Sequence, residues 1–175
     1  DGSNFPASLK VSEVITGNNK LFVGLMSDLT DKKKSELRLK SQSAALKSTA
    51  NGVIITKTNG EIVWTNPAFS LLTGYSWREV VGKTPSILNS GKHDKVFYEE
   101  MWNNISSGKT WHGEIINKKK SGDLFQEEIT ITPILDDKDK IIQFVAIKND
   151  ITERKIAEDE IRASENKFRS ITSTA

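Results

Sequence analysis

The chain contains one stretch of sequence twice. Residues 1–34 and 121–155 share widely spaced positions: Gly2 with Gly122, Phe5 with Phe125, Phe22 with Phe144, and Asp28–Thr30 with Asp150–Thr152. A shorter echo aligns residues 46–50 with residues 171–175. Self-similarity at a long fixed period indicates a tandem array. We therefore expect the end of one module, one complete module and the start of a third.

This repeat predicts five parts. Residues 1–30 are expected to be the C-terminal half of a preceding module, and residues 47–152 the complete module. Residues 171–175 are expected to begin a third module. Helical linkers are predicted at residues 31–46 and 153–170. A chain of 175 residues has room for one domain of ordinary size plus these fragments.

Turn and cap residues delimit the elements of the complete module. Asn59-Gly60 predicts a hairpin, Asn66-Pro67 the start of a helix, and residues 94–106 an amphipathic helix. Three long strands are predicted after it, at residues 110–119, 124–134 and 140–149. Two strands, then helices, then three strands predict an α+β fold: a five-stranded antiparallel sheet with helices on one face, flanked by linker helices.

Alternation along the three long strands predicts which side chains face inward. Three of them are polar, namely Asn117, Glu127 and Lys148. A buried polar group needs a partner, and Glu127 and Lys148 are suited to pair with each other. Val145 and Ile147 form an apolar opposite face on the third strand, so we expect a flanking helix or a second copy of the chain to cover it.

Composition excludes several functions. With 25 basic and 23 acidic residues the net charge is +2, which predicts no nucleic-acid or membrane-surface partner. There is no cysteine, which excludes disulfides and thiol chemistry and fits a reducing, cytoplasmic location. No apolar run approaches the roughly 20 residues of a membrane span. Without a Gly-rich phosphate loop or a nucleophile–base motif, no catalytic residue or metal site is predicted.

Spaced motifs in the complete module resemble the PAS sensor family, of the sensory-box kind found in tandem in bacterial and archaeal signalling proteins. They are residues 60–69 (GEIVWTNPAF), 72–75 (LTGY), 80–83 (VVGK), 111–114 (WHGE), 117–122 (NKKKSG), 132–134 (TPI) and 150–155 (DITERK). The resemblance implies a sheet cupping a pocket beneath the helices. It also implies a signal output through the helix that follows the last strand.

The signal-relay residues follow from this resemblance. Thr152 can cap the outgoing helix, and Asp150 lies where strand becomes helix. Asp28 and Thr30 are their counterparts in the first fragment. We expect the relay to serve a downstream effector in the same protein, such as a histidine kinase. The alternative is a ligand-free module that only dimerises and separates its neighbours.

Flavin is one candidate ligand for the implied pocket. Residues 83–91 resemble the loop of the flavin-binding redox sensors of nitrogen fixation, and Asn117 lies where related light-sensing modules hold the flavin edge. Those modules carry a reactive cysteine where this chain has Pro85, which excludes flavin–thiol photochemistry. They also carry amides at the positions of Glu127 and Lys148. Asn89 and Trp102 are further pocket candidates.

Haem is the second candidate, and it requires an axial ligand such as histidine. His93 lies in the region where haem-binding relatives place theirs. The third alternative is an empty pocket or one for a small metabolite, in which case no cofactor is needed.

The linker after Thr152 has an apolar stripe with the spacing of a coiled coil. Its members are Ala157, Ile161, Ser164, Phe168 and Ile171. We expect a homodimer through this helix and the outer face of the sheet. The alternative is a single amphipathic helix that packs on its own module.

Overall fold

A computed structural model describes residues 4–17 and 19–172. The chain divides into two compact units, Asp1–Leu46 and Lys47–Ala175. Residues 1–3 of the predicted first fragment lie outside the described residues, as do residues 173–175 of the predicted third module. Within the described residues, no helix has the length and apolar character needed to cross a membrane.

The first unit is a β-hairpin followed by a helix. Strands β1 (Ala7–Thr16) and β2 (Asn19–Asp28) pair antiparallel, with Ala7 opposite Asp28. The helix α1 covers Thr30–Ser48. The two strands therefore satisfy their backbone hydrogen bonds with each other, while apolar side chains such as Phe22 remain largely exposed.

The second unit has the predicted order of elements. Its strands are β3 (Gly52–Lys57), β4 (Ile62–Thr65), β5 (Trp111–Lys118), β6 (Leu124–Leu135) and β7 (Ile141–Asp150). They form one antiparallel sheet in the order β4-β3-β7-β6-β5. The predicted α+β class is confirmed, because sheet order and helices together match a five-stranded sheet with helices between β4 and β5.

The helices of this unit begin where capping chemistry predicts. They are α2 (Pro67–Thr73), α3 (Trp77–Val80), α4 (Lys95–Ser106) and α5 (Thr152–Thr172), with a 3₁₀ turn at Pro85–Leu88. Asn66 Oδ1 accepts the Phe69 amide at 3.0 Å, and Asp94 Oδ1 accepts the Phe97 amide at 2.9 Å. Each carboxamide or carboxylate thereby satisfies an amide in the first helical turn.

The helix α3 is anchored to the far end of the sheet. Glu79 completes a capping box with Ser76 and also pairs with Lys120, which follows β5. The hydrogen bond from Lys120 and those from Ser76 lower the pKa of Glu79 to about 2. The carboxylate therefore stays ionised near neutral pH and links α3 to the β5–β6 turn.

Two apolar clusters form the core under the sheet. One joins α4 to the inner face of β5, β6 and β7 through Met101, Ile105 and Phe144. The other joins β3 and β4 to α2 through Ile54 and Phe69. Ala146 contacts both clusters, so the middle of β7 is the point where the two halves of the core meet.

The outer face of β7 stays open within the described residues. Ile147 is 44% exposed there, while the first turn of α5 lies beside β5 and β6. Lys155 Nζ lies 2.9 Å from Glu114 Oε1, and an Arg154 guanidinium nitrogen lies 3.8 Å from Glu128 Oε1. The cover expected over Val145 and Ile147 therefore stays a prediction.

Candidate functional site

A cavity of about 320 Å³ lies between the inner face of the sheet and α4. Its walls are mostly apolar, with Ile54 and Ile129 from the sheet and Met101 and Ile105 from the helix. Thr84 and Ser86, whose hydroxyl oxygens are 2.6 Å apart, stand at one side. Apolar walls with a few polar groups are typical of small-molecule sites, and the volume is at the lower end of their range.

A buried polar network closes one end of the cavity. Glu127 is fully buried, and its Oε1 accepts hydrogen bonds from Lys148 Nζ and from Asn117 Nδ2, the latter at 2.8 Å. Asn117 and Lys148 line the cavity, and Glu127 lies behind them. The ion pair suggested by the sequence is thus present, and its two charges cancel. We call Glu127, Lys148 and Asn117 the polar floor.

One oxygen of the polar floor has no partner. Glu127 Oε2 is buried and makes no hydrogen bond to the described part of the chain. Leaving a buried acceptor unpaired costs roughly 1–3 kcal/mol. A packing that serves only stability would avoid this cost, and such violations are concentrated at functional sites.

The structure brings four of the six predicted pocket residues to the cavity wall. Asn89, Trp102, Asn117 and Lys148 line it. The Trp102 ring lies edge-on to Phe144, with ring centroids 5.9 Å apart, and a Cβ built on Gly60 would lie 3.2 Å from it. Trp102 therefore closes the cavity on the side of the β3–β4 turn.

His93 does not fit the haem-ligand role. It is not among the residues that line the cavity, and its Nε2 accepts the Ile116 amide at 2.9 Å. Its ring stacks on Phe97 with centroids 4.3 Å apart. The nitrogen that would bind iron therefore fixes the loop before α4 to β5. His112 points to the outer face, where its Nδ1 lies 3.0 Å from Thr130 Oγ1.

The polar floor is a poor match for a flavin. Lys148 lines the cavity and presents only hydrogen-bond donors where a flavin edge meets amides that both donate and accept.

Sequence reasoning did not name Thr56, Tyr98, Thr84 or Ser86 as pocket residues, although all four line the cavity. Thr56 is the inward neighbour of Ile54 on β3, so alternation alone could have found it. Tyr98 lies with its hydroxyl 3.5 Å from Asn89 Oδ1. Burial raises the pKa of the Tyr98 hydroxyl, and the Glu127 carboxylate raises that pKa further. Tyr98 therefore keeps its proton and remains a donor.

The strand-to-helix junction adjoins the polar floor. Asp150 Oδ1 accepts the Thr152 amide at 2.9 Å and the Thr152 hydroxyl at 2.6 Å. Thr152 Oγ1 in turn accepts the Gln126 amide at 3.0 Å, and Gln126 O accepts the Ile151 amide at 2.9 Å. Asp150 Oδ2 lies 3.7 Å from Lys119 Nζ. One carboxylate and one hydroxyl thus tie β6 and β7 to the start of α5.

The first unit has a junction of the same design. Asp28 Oδ1 accepts the Thr30 amide at 2.8 Å and the Thr30 hydroxyl at 2.6 Å. The Leu29 amide donates to Pro6 O at 2.8 Å. The hydrogen bonds from Thr30, the side-chain bond above all, lower the pKa of Asp28. Both strand-to-helix transitions are therefore fixed by an Asp-x-Thr sequence.

Among curated proteins, the chain is similar to regulators. It is 30% identical over 110 residues to a nitrogen fixation regulatory protein of Klebsiella oxytoca, which covers 63% of this chain and 22% of that protein. It is 32% identical over 140 residues to a bacterioopsin transcriptional activator of Halobacterium salinarum, covering 78% of this chain and 20% of that protein. The chain spans only about a fifth of the length of these relatives.

A solved structure shares the fold. The crystal structure of the PAS domain of a protein from Colwellia psychrerythraea matches with a TM-score of 0.62 and 23% identity, covering 66% of this chain and 98% of that one. Residues 50–153 match the PAS domain family. That range contains the sheet, the cavity and the junction described above. The chain therefore belongs to the PAS domain family, as its sequence motifs predicted.

Proposed function

We propose that this PAS module is a sensory module that relays the state of its cavity through α5 to an effector domain of the same protein, such as a histidine kinase. The observation that carries the proposal is the position of the junction. Glu127 of the polar floor lies opposite Asp150 in the register of β6 and β7. Its sequence neighbour Gln126 donates its amide to Thr152, the first residue of α5. On β6, the floor residue and the residue that contacts α5 are therefore adjacent.

The physical basis of the relay is a shift of the last two strands. A ligand that displaces Lys148 moves β7 two residues before Asp150, and Asp150 holds the first turn of α5 through Thr152. Regular secondary structure transmits such displacements because its backbone hydrogen bonds resist local bending. The cytoplasmic location and the effector expected from the sequence form part of the same proposal.

Filling the cavity without a ligand should change the start of α5. Ala146 lines the cavity, and Ala146→Leu places three additional carbons inside it. We expect the amide exchange rates of residues 153–160, measured by NMR, to change at least about fivefold, the lower limit of typical coupling between sites. Val145→Leu, on the opposite face of β7, is the control. Unchanged exchange in Ala146→Leu would refute the relay.

We propose that the first unit is the C-terminal part of a second module of the same kind. The support is a shared register. In the first unit, Phe22 lies opposite Glu13 and Asp28 lies opposite Ala7. In the second unit, the aligned Phe144 lies opposite Pro133 and the aligned Asp150 lies opposite Glu127. The spacing between the two pairs is the same in both units. The hairpin exposes apolar side chains within the described residues. Half of a PAS module would do the same, because the other half of its core is missing.

A dimerisation module is the second candidate function, favoured by the exposed apolar stripe of α5. Ile161 is 60% exposed, although it belongs to the predicted coiled-coil seam. Ile161→Asp would place a charge in that seam, and we expect a dimer to become a monomer in size-exclusion chromatography with light scattering. The matched control is Ile156→Asp, because Ile156 is 55% exposed and lies off the seam. Equal masses for both variants and the wild type would count against this function.

A further inference from the structure

We infer that the polar floor selects an uncharged, two-ring ligand that carries a carbonyl acceptor, and that it rejects both anions and flavins. This inference rests on the proposed sensory function, since it names the ligand class of the same cavity. It follows from four features: the charge of the polar floor, its remaining hydrogen-bond donors, the size of the cavity, and the residues that the first unit has at the positions of Glu127 and Lys148.

The charge of the floor predicts a neutral ligand. Lys148 is 3% exposed and its ammonium is paired with the carboxylate of Glu127, which is fully buried. No charge remains in the floor to compensate an ionised ligand. Burying an uncompensated charge among apolar walls is unfavourable by many kcal/mol, so an anion or a cation is expected to be excluded.

The donors of the floor predict an acceptor on the ligand. A lysine ammonium carries three N–H donors and no acceptor, and one donor serves Glu127 Oε1. Asn117 also lines the cavity, and its amide nitrogen is bound to the same Glu127 oxygen as Lys148. One Nδ2 hydrogen of Asn117 serves Glu127, and the second has no acceptor among the described hydrogen bonds. A carbonyl oxygen is the neutral group that meets these donors best, because it accepts two hydrogen bonds.

The size and lining of the cavity predict two fused rings. Its volume of about 320 Å³ is roughly twice that of the cavity that holds benzene. The walls are the side chains of Ile54, Met101, Ile105 and Ile129, and Trp102 offers an aromatic surface. A flat bicyclic body therefore fills this space.

The first unit shows that the ion pair is not required by this strand pairing. In the shared register, Ala7 takes the place of Glu127 and Met26 the place of Lys148. The hairpin β1–β2 nevertheless has the same register, and its Asp28 carboxylate accepts the amide and the hydroxyl of Thr30, as Asp150 does with Thr152. The pair is thus a feature of the complete module alone, and recognition of a ligand explains it where strand pairing does not.

Four probes test the inference on the purified chain by titration calorimetry: 1-tetralone, tetralin, 1-naphthoate and riboflavin. Tetralone and tetralin differ by the carbonyl group. We expect tetralone to bind at least about tenfold more tightly than tetralin or naphthoate, because a hydrogen bond from a charged donor is worth at least about 1.5 kcal/mol. Riboflavin should not bind. Equal binding of tetralone and tetralin, tighter naphthoate, bound riboflavin or no binding of tetralone would each overturn the inference.

The double variant Glu127→Ala/Lys148→Met, which copies Ala7 and Met26, assigns the preference to the floor. We expect it to bind tetralone and tetralin with equal affinity. Asn117→Leu is a milder variant that leaves the ion pair in place, and we expect it to weaken tetralone alone. A preference that survives in both variants would overturn the role of the floor. The Ala146→Leu exchange experiment uses no ligand, so failure of the probes remains distinguishable from failure of the relay.

Discussion

Lys148→Met is expected to lower the free energy of unfolding by about 3–5 kcal/mol, the usual cost of removing one partner from a buried ion pair. Glu127 is fully buried, and without Lys148 its Oε1 keeps only the Asn117 hydrogen bond. Because the carboxylate would then lie in an apolar interior with no counter-charge, the loss exceeds that of the lysine contacts alone. Urea denaturation followed by circular dichroism measures it.

Two variants separate the stranded charge from the lost side chain. Glu127→Gln/Lys148→Met removes both charges and keeps an acceptor for Asn117, so we expect most of the lost stability to return. Lys57→Met removes a similar contact at the surface, where Lys57 Nζ lies 2.7 Å from Glu61 Oε1. That change should cost less than about 1 kcal/mol. If Lys148→Met were as mild as Lys57→Met, the buried pair would not have the energetic role described here.

Asn66→Ala is expected to cost about 2–4 kcal/mol, more than an ordinary helix cap. Asn66 is 1% exposed, and its Oδ1 accepts both the Phe69 amide at 3.0 Å and the Val53 amide at 2.9 Å. Its Nδ2 donates to Asn51 O at 2.9 Å. The same side chain therefore caps α2 and ties that helix to β3, and alanine would leave buried amides unpaired.

The matched control for this change is Asp94→Ala at the start of α4. Asp94 is an exposed cap whose side chain accepts the Phe97 amide alone among the described contacts. Asp94→Ala should lower the free energy of unfolding by about 1 kcal/mol. Asn66→Asp, which keeps the acceptor and loses the donor to Asn51, should lie between the two alanine variants. If chemical denaturation gave Asn66→Ala and Asp94→Ala the same decrease in the free energy of unfolding, the hydrogen bonds that join Asn66 to Val53 and Asn51 would contribute nothing.

The sequence predicted the fold class and the inward polar residues for a simple physical reason. Side chains alternate along a strand, so the apolar neighbours of Asn117, Glu127 and Lys148 fixed the direction in which these three point. The helix start predicted at Asn66-Pro67 was equally local, since Asn66 contacts an amide three residues ahead. Properties that depend on near neighbours in the chain were therefore accessible without a structure.

The shape of the cavity depends on distant contacts and was not accessible in this way. His93 was expected near a ligand, but its Nε2 binds an amide 23 residues further along the chain. Glu127 faces inward as predicted, yet it lies behind the residues that line the cavity. Alternation gives the side of the sheet, whereas the position of α4 and its preceding loop decides which groups a ligand can reach.

We propose that the state of the cavity reaches α5 through the Asp150–Thr152 junction. The decisive measurement is a double-mutant cycle that compares amide exchange of residues 153–160 in the wild type, Ala146→Leu, Thr152→Val and the double variant. Thr152→Val removes the hydroxyl that contacts Asp150 and Gln126. We predict that Ala146→Leu changes the exchange rates at least about fivefold only when Thr152 is present. The same change in both backgrounds, or no change in either, would contradict the relay.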